Sequence, residues 1–134
     1  MILLDTSFLI RALQKGSAQD IQLRAWLLTG EPLAISTIAV AEFLCGPVGA
    51  NDRQLIDRVL PTRMPFAEED PIVAAKLFND SGRRRGSITD CMIAATALRA
   101  SAALATANPS DFRRFESAGL RVLTASTRGA GELG

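Results

Sequence analysis

The chain has 134 residues, and 48% of them are apolar, which suits one domain with its own hydrophobic core and excludes intrinsic disorder. There are 15 basic and 14 acidic residues, so the formal net charge is only +1 and any site for a polyanion must depend on local charge. The chain has no His and no Tyr. This excludes a Ser-His-Asp triad, His-based acid–base catalysis and His-ligated zinc.

The cysteine content and the apolar segments bear on the cellular compartment. Cys45 and Cys91 are too few for a disulfide scaffold and lack CxxC spacing, which favours a reduced, cytoplasmic protein. Residues 1–5 contain an acid and no basic residue, so we do not expect a secretory signal. No apolar run approaches the roughly 18 residues of a membrane-spanning helix, so no contact with a membrane is expected.

Short apolar runs alternate with segments of helical periodicity in the first half of the chain. The first run stops at Asp5, and Thr6 or Ser7 is suited to cap the helix that follows. Gly30 and Gly46-Pro47 end later helices. The predicted elements are a strand at 2–4, helices at 6–13 and 21–29, a strand at 33–35, and helices at 37–44 and 55–60.

The second half continues the alternation of strands and helices. The predicted elements are a strand at 64–66, a helix from Pro71 to Phe78, a basic loop at 81–87, a helix at 88–98, and strands at 104–105 and 122–123. This order indicates an α/β fold around a parallel sheet, in which sites form at the carboxyl ends of strands. We expect one domain over 1–125 and a flexible, Gly-rich tail over 126–134.

A few acids stand where an ordinary surface acid is not expected. Asp5 directly follows an apolar strand, Glu42 lies within an apolar helix, and Asp90 begins another apolar helix. Asn108 and Asp111 follow the strand near residue 105. Each acid alone has a structural explanation, as a helix cap, a solvated helix position or a dipole partner. Their combination at one edge of a parallel sheet favours a functional site.

Carboxylates gathered at one edge would repel one another. At about 5 Å and an effective dielectric near 20, each pair costs about 3 kcal/mol. A hard divalent cation offsets that cost, and oxygen ligands suit Mg²⁺ or Mn²⁺. Such a site can activate water and stabilise the charge on a phosphodiester.

Segments of the chain resemble the PIN-domain ribonucleases, and more narrowly the VapC toxins of bacterial VapBC toxin–antitoxin pairs. The segments are LDTSFLI at 4–10, AEF at 41–43, ITDCMIAATA at 88–97 and TANPSDF at 106–112. The resemblance runs in order from residue 2 to about residue 123. It implies a three-layer α/β/α fold with a central parallel sheet of four to five strands.

The resemblance also implies roles for the acids. Asp5, Glu42 and Asp90 would form the acidic core, with Asp5 and Asp90 closest to a Mg²⁺ or Mn²⁺ ion and Glu42 and Asp111 as further candidate ligands. Either Asn108 or Asp111 would complete the catalytic set. Because Pro109 suits the first position of a helix, we predict that the Asn108 side chain is its N-cap and that Asp111 faces the site.

The implied function is that of a metal-dependent endoribonuclease toxin that hydrolyses RNA phosphodiesters with a metal-activated water. The resemblance implies a homodimer and a VapB-type antitoxin whose C-terminal segment blocks the acidic cleft. One alternative is a catalytically weak PIN module that binds RNA or a protein. Another is a receiver-like domain phosphorylated at Asp5, although the adjacent acidic pair expected for it is missing.

Two clusters of arginines are candidates for contact with RNA. Arg83, Arg84 and Arg85 could bind phosphates through their guanidinium groups, or they could form a solvated loop. Arg113 and Arg114 follow the last acidic segment and have the same two explanations. The sequence does not separate these explanations.

Overall fold

A five-stranded parallel sheet forms the centre of the protein in the computed structural model, which describes residues 1–125. The predicted tail at 126–134 lies outside the described residues. The strands are β1 (Ile2–Leu4), β2 (Leu33–Ser36), β3 (Arg63–Met64), β4 (Ala103–Ala105) and β5 (Arg121–Leu123). Their order is β3-β2-β1-β4-β5, and every neighbouring pair is parallel. The predicted parallel sheet is therefore confirmed.

Helices connect and cover the strands. They are α1 (Thr6–Ala12), α2 (Ala18–Leu28), α3 (Thr37–Leu44), α4 (Ala50–Val59), α5 (Asp70–Asp80) and α6 (Ile88–Arg99), followed by 3₁₀ turns at Pro109–Asp111 and Arg113–Ala118. The predicted three-layer α/β/α architecture is confirmed. Within residues 1–125, no helix combines the length and apolar character needed to cross a bilayer.

The central strand and the helix over it explain the apolar pattern of the sequence. Every residue of β1 is buried, as expected for a parallel strand covered on both faces. The small residues Ala94, Ala95 and Ala97 of α6 are also buried, and their size allows the helix to approach its neighbours closely. β3 ends before the predicted strand does, because Pro65 has no N–H to continue the ladder.

Strand order determines where a site can form. β1 has β2 on one side and β4 on the other. The chain therefore leaves β1 towards β2 and β3, and later adds β4 and β5 on the opposite side. Such a change of direction opens a crevice at the carboxyl ends of the two strands that flank it, here β1 and β4.

The first helix begins differently from the prediction. We predicted Thr6 or Ser7 as its cap, but Asp5 occupies the N-cap position and makes no side-chain cap bond. The Thr6 and Ser7 hydroxyls are engaged in contacts at the strand ends instead. The two following helices are capped in the ordinary way, by Ser17 for α2 and Ser36 for α3.

An ion pair between Arg99 and the buried Asp70 lies at the C-terminal end of α6. Arg99 Nε donates to both carboxylate oxygens of Asp70, at 3.0 and 3.2 Å, and Arg99 Nη2 donates to Pro65 O at 2.6 Å. Asp70 also accepts a bond from the Ala67 N–H at 2.8 Å. Its side chain is 1% exposed. These bonds join α5, α6 and the segment after β3.

Candidate functional site

Asp5 lies at the carboxyl end of β1, in the crevice between β1 and β4. Its backbone N–H donates to Ala105 O at 2.8 Å, which extends the ladder between the two strands by one bond. Its side chain is nearly buried and accepts bonds at Oδ2 from Ser7 Oγ at 2.7 Å and from Thr106 Oγ1 at 2.9 Å. Because both hydroxyls donate to Oδ2, they fix the carboxylate's orientation.

The same two hydroxyls tie together the loops that follow β1 and β4. Ser7 Oγ and Thr106 Oγ1 are 3.1 Å apart. Ser7 Oγ accepts from the Ala107 N–H, and Thr106 Oγ1 accepts from the Asn108 N–H, both at 3.0 Å. Asp5 is therefore held by a short network of hydroxyls and amides at the point where the strand order reverses.

Glu42 is brought to this edge by α3. Thr6 Oγ1 contacts Glu42 Oε1 at 2.9 Å and Ala39 O at 3.2 Å, so the residue after Asp5 contacts the carboxylate of Glu42. Partial burial of the carboxyl group raises the pKa of Glu42 above its ordinary value. The hydrogen bond from Thr6 opposes this shift, whereas the charge of Asp5 adds to it.

Asp90 lies in the first turn of α6 and shows that the acids act on one another. The pKa of Asp90 is raised to about 6, and burial is the largest cause. The negative charges of Asp111, Asp5 and Glu42 contribute to this rise, whereas the positive charge of Arg114 opposes it. The structure therefore brings these acids into one electrostatic group. We call Asp5, Glu42, Asp90 and Asp111 the acidic edge.

The fourth segment differs from the prediction in one respect. Asn108 occupies the N-cap position of the turn at Pro109–Asp111, but its side chain makes no cap bond and is exposed. Its φ of −123° and ψ of 69° depart from the extended conformation of a helix N-cap, so the predicted cap is wrong. Asp111 is half-buried, and its charge acts on Asp90.

The loop of three arginines lies beside the acidic edge. Arg84 Nη1 is 3.9 Å from Asp111 Oδ1. Arg83, Arg84 and Arg85 are all exposed, and Arg83 has a φ of 55°. Gly82 and Gly86 on either side also have positive φ, which reverses the chain direction tightly and projects the arginines outward. A polyanion that approached the acidic edge would meet this loop.

The acidic edge offers only oxygen donors, which is the ligand chemistry of Mg²⁺ and Mn²⁺. Within residues 1–125, no three His, Cys, Asp or Glu side chains are already arranged around a common ion position. Mg²⁺ needs only one or two protein carboxylates, with waters completing its shell. Burial and the charges of Asp111, Asp5 and Glu42 all disfavour the ionised form of Asp90, and a divalent cation would offset that cost.

The sequence did not indicate which residues orient the acidic side chains. Ser7 and Thr106 orient Asp5, and Thr6 contacts Glu42. Their signal was their position directly after each strand-end segment. Arg114 is largely buried, with Nη2 at 3.9 Å from Asp90 Oδ2, whereas Arg113 is exposed. No sequence pattern distinguished these two neighbouring arginines.

The fold and the acidic edge together define a class of protein. Residues 2–117 match the family described as the PIN domain. The chain belongs to the PIN-domain family. It is 34% identical over 138 aligned positions to Ribonuclease VapC1 of Rickettsia felis, and the match covers 95% of this chain and 98% of that protein.

Solved structures share the fold. FitAcB from Neisseria gonorrhoeae is 25% identical with a TM-score of 0.67, and the match covers 92% of this chain and 96% of that one. VapBC2 from Rickettsia felis, solved with a DNA fragment from its promoter, has a TM-score of 0.72 at 20% identity, over 94% of this chain and 100% of that one. At that identity the second likeness concerns the fold alone.

Proposed function

We propose that the chain is a Mg²⁺- or Mn²⁺-dependent endoribonuclease that acts as the toxin of a type II toxin–antitoxin pair. The observation that carries the proposal is the acidic edge, where the charges of Asp5, Glu42 and Asp111 all act on Asp90. The name of the relative Ribonuclease VapC1 supports cleavage of RNA. The edge lies at the reversal of strand order, where ligands of parallel α/β sheets bind.

In this proposal Asp5 and Asp90 hold the cation, and Glu42 and Asp111 are further candidate ligands. A bound divalent cation supplies Lewis acidity that stabilises phosphodiester charge and lowers the pKa of a water. Glu42 Oε1 is engaged by Thr6, so Oε2 is the atom suited to accept a proton from the attacking water. The raised pKa of Glu42 favours that role, because a general base is most effective when its pKa lies near the working pH.

Asp111 is the better candidate to complete the catalytic set. Its charge acts on Asp90, whereas Asn108 is exposed and has no charge to offer a cation. Asn108 can still donate a hydrogen bond to RNA from its position at the rim. The proposal therefore assigns the electrostatic role to Asp111 and a peripheral role to Asn108.

RNA would be bound beside the acids by the loop that carries Arg83, Arg84 and Arg85. Arg84 is 3.9 Å from Asp111, so one guanidinium can reach a phosphate next to the scissile one. The overall charge of +1 provides little general attraction for RNA. Local charge at this loop would thus supply most of the salt-dependent affinity.

A VapB-type antitoxin is the proposed protein partner, and the likeness to VapBC2 from Rickettsia felis supports it. An apolar groove of about 150 Å³ lies between α1, α2 and α4 and is suited to an apolar segment of such a partner. Leu9, Leu13, Leu27 and Leu55 line it, and the last two are exposed. Leu9 is one helical turn from Asp5, so a bound segment could continue to the acidic edge.

Cleavage of a labelled RNA by the full chain, purified without antitoxin, tests the proposal. We expect cleavage with Mn²⁺, none with EDTA, and a loss of about 100-fold or more in Asp90→Asn. Asp52→Asn is the matched control, because Asp52 also lies in the first turn of a helix but is not among the charges that shift the pKa of Asp90. Wild-type cleavage by Asp90→Asn would contradict the assigned site. Binding of RNA without cleavage would favour a PIN module that only binds.

A further inference from the structure

Arg114 is a buried cation without an obvious structural partner. Its Nε and Nη2 atoms are buried and make no hydrogen bond within the described residues. Nη2 lies 3.9 Å from Asp90 Oδ2, which is within ion-pair distance but too long for a hydrogen bond. The guanidinium carbon lies 4.7 Å from the centre of the Phe115 ring, so the group stacks on a buried aromatic.

This arrangement is costly unless electrostatics compensate for it. Two of the three guanidinium nitrogens are out of water without hydrogen bonds, and stacking on Phe115 only partly restores the solvation they lose. The other acids near Arg114 lie within ion-pair distance of a different cation, since Asp80 contacts Lys76 at 2.8 Å and Glu116 lies 3.9 Å from Arg113. The compensation available to Arg114 is therefore the negative charge of the acidic edge.

We propose that Arg114 is a positioning residue of the acidic edge: its buried guanidinium offsets the charge of the acids and holds the Asp90 carboxylate in place when no metal is bound. The role rests on the proposed function in one respect, since a divalent cation would take over the same charge. The separation of 3.9 Å between Arg114 Nη2 and Asp90 Oδ2 is compatible with replacement of the arginine charge by a metal ion. An Asp90 carboxylate without a hydrogen bond to Arg114 remains available to a cation.

A double-mutant cycle in EDTA at pH 8 tests the pairing without any metal. We expect Arg114→Met to lower the melting temperature of the full chain by about 5 °C, and by less than half of that when Asp90 is already changed to Asn. Arg114→Lys, which keeps the charge, should lose less than Arg114→Met. Arg113→Met is the control, because its side chain is exposed, and it should change little.

The same cycle can overturn the proposal. If Arg114 only packs on Phe115, Arg114→Met will lose the same number of degrees in the wild-type and Asp90→Asn backgrounds, and Arg114→Lys will lose as much as Arg114→Met. If Arg114→Met does not fold, the comparison of Arg114→Lys in the two backgrounds carries the test. Equal losses there would also contradict the pairing.

A second arm with MnCl₂ distinguishes this proposal from the proposed function. We expect Mn²⁺ to raise the melting temperature more in Arg114→Met than in the wild-type chain, because the cation then replaces the missing charge. A Mn²⁺ effect that is equal in both proteins would refute that replacement. If Mn²⁺ stabilises neither protein while the EDTA cycle shows coupling, the role of Arg114 is supported and the metal site is wrong.

Discussion

An arginine and an aspartate lie close together at each end of α6, but they are hydrogen-bonded at one end only. At the end of the helix, Arg99 makes hydrogen bonds to Asp70 at 3.0 and 3.2 Å and to Pro65 O. At its start, Asp90 faces Arg114 across 3.9 Å, and two of the Arg114 nitrogen atoms have no partner within the described residues. One pair is closed by hydrogen bonds, and the other remains open.

The difference shows how one helix can serve both stability and chemistry. The closed pair satisfies its polar groups, so it fastens α5 and α6 together and offers nothing to a ligand. At the open pair, the guanidinium of Arg114 lies near Asp90, on which the charges of three other acids also act, and negative charge remains in excess. That excess disfavours the folded protein, and in the proposed function it is the reason why the edge would bind a cation.

The largest effect on stability is expected at the C-terminal end of α6, where Arg99 and Asp70 are hydrogen-bonded. Asp70→Ala should lower the free energy of unfolding by about 3 kcal/mol, because it leaves the partly buried Arg99 with only the longer carboxylate contact to Glu69 at 3.6 Å. Urea denaturation of the wild-type and variant chains measures this loss. The change should leave the Mn²⁺ affinity of the folded protein unaltered. A loss below about 1 kcal/mol would remove the contrast between the two ends.

Removal of the carboxylate at the N-terminal end of α6 should have the opposite effect on stability. In EDTA at pH 7.5, Asp90→Asn should raise the free energy of unfolding by about 1–2 kcal/mol. The shift in the pKa of Asp90 to about 6 corresponds to about 3 kcal/mol at most, and partial exposure reduces it. Asp52→Asn is the control. A loss of stability in Asp90→Asn would show that the attraction of Arg114 for Asp90 outweighs the cost of burial and the repulsion by the other acids.

The sign of the pH dependence follows from the same shift. Folded Asp90 binds its proton more tightly than unfolded Asp90, so its contribution favours folding at low pH and is lost as the pH rises from about 4 through 6. The stability gained by Asp90→Asn should therefore shrink between pH 7.5 and pH 4. Urea denaturation at both pH values measures this change. A gain that is the same at both would point to a cause other than ionisation.

The smallest stability effect concerns the two polar residues after β4. Asn108→Ala should change the free energy of unfolding by less than about 0.5 kcal/mol, because the Asn108 side chain is exposed and makes no cap bond. Asp111→Asn should lose more Mn²⁺-dependent cleavage than Asn108→Ala does. Melting curves and turnover of both variants measure these effects. The reverse ranking of activity would make Asn108 the catalytic oxygen donor.

Much of the fold followed from the sequence because its signals are local. The apolar run at residues 2–4 and the alternation of strands with helices predicted a parallel sheet, and the structure has one. The placement of Asp5 at a strand end followed for the same reason. The Asn108 cap was wrong because a three-residue 3₁₀ turn lacks the backbone conformation of a true helix start.

The supporting contacts of the site could not be predicted, because they join segments distant in sequence. Thr106 lies 101 positions from Asp5 and bonds to it only because β4 pairs with β1. The state of Arg114 likewise depends on how the last turn packs against the start of α6. An acid that follows an apolar strand can be recognised in the sequence, but the hydroxyl or guanidinium that orients its side chain cannot.

Calorimetric titration of Mn²⁺ into the metal-stripped full chain at pH 7.5 tests whether the acidic edge binds a cation. We expect saturable binding that is lost in Asp90→Asn and retained in Asp52→Asn, because the acidic edge, and not acids at helix starts in general, binds the cation. Equal binding by wild-type and Asp90→Asn chains, or no binding by the wild-type chain, would contradict the proposed site.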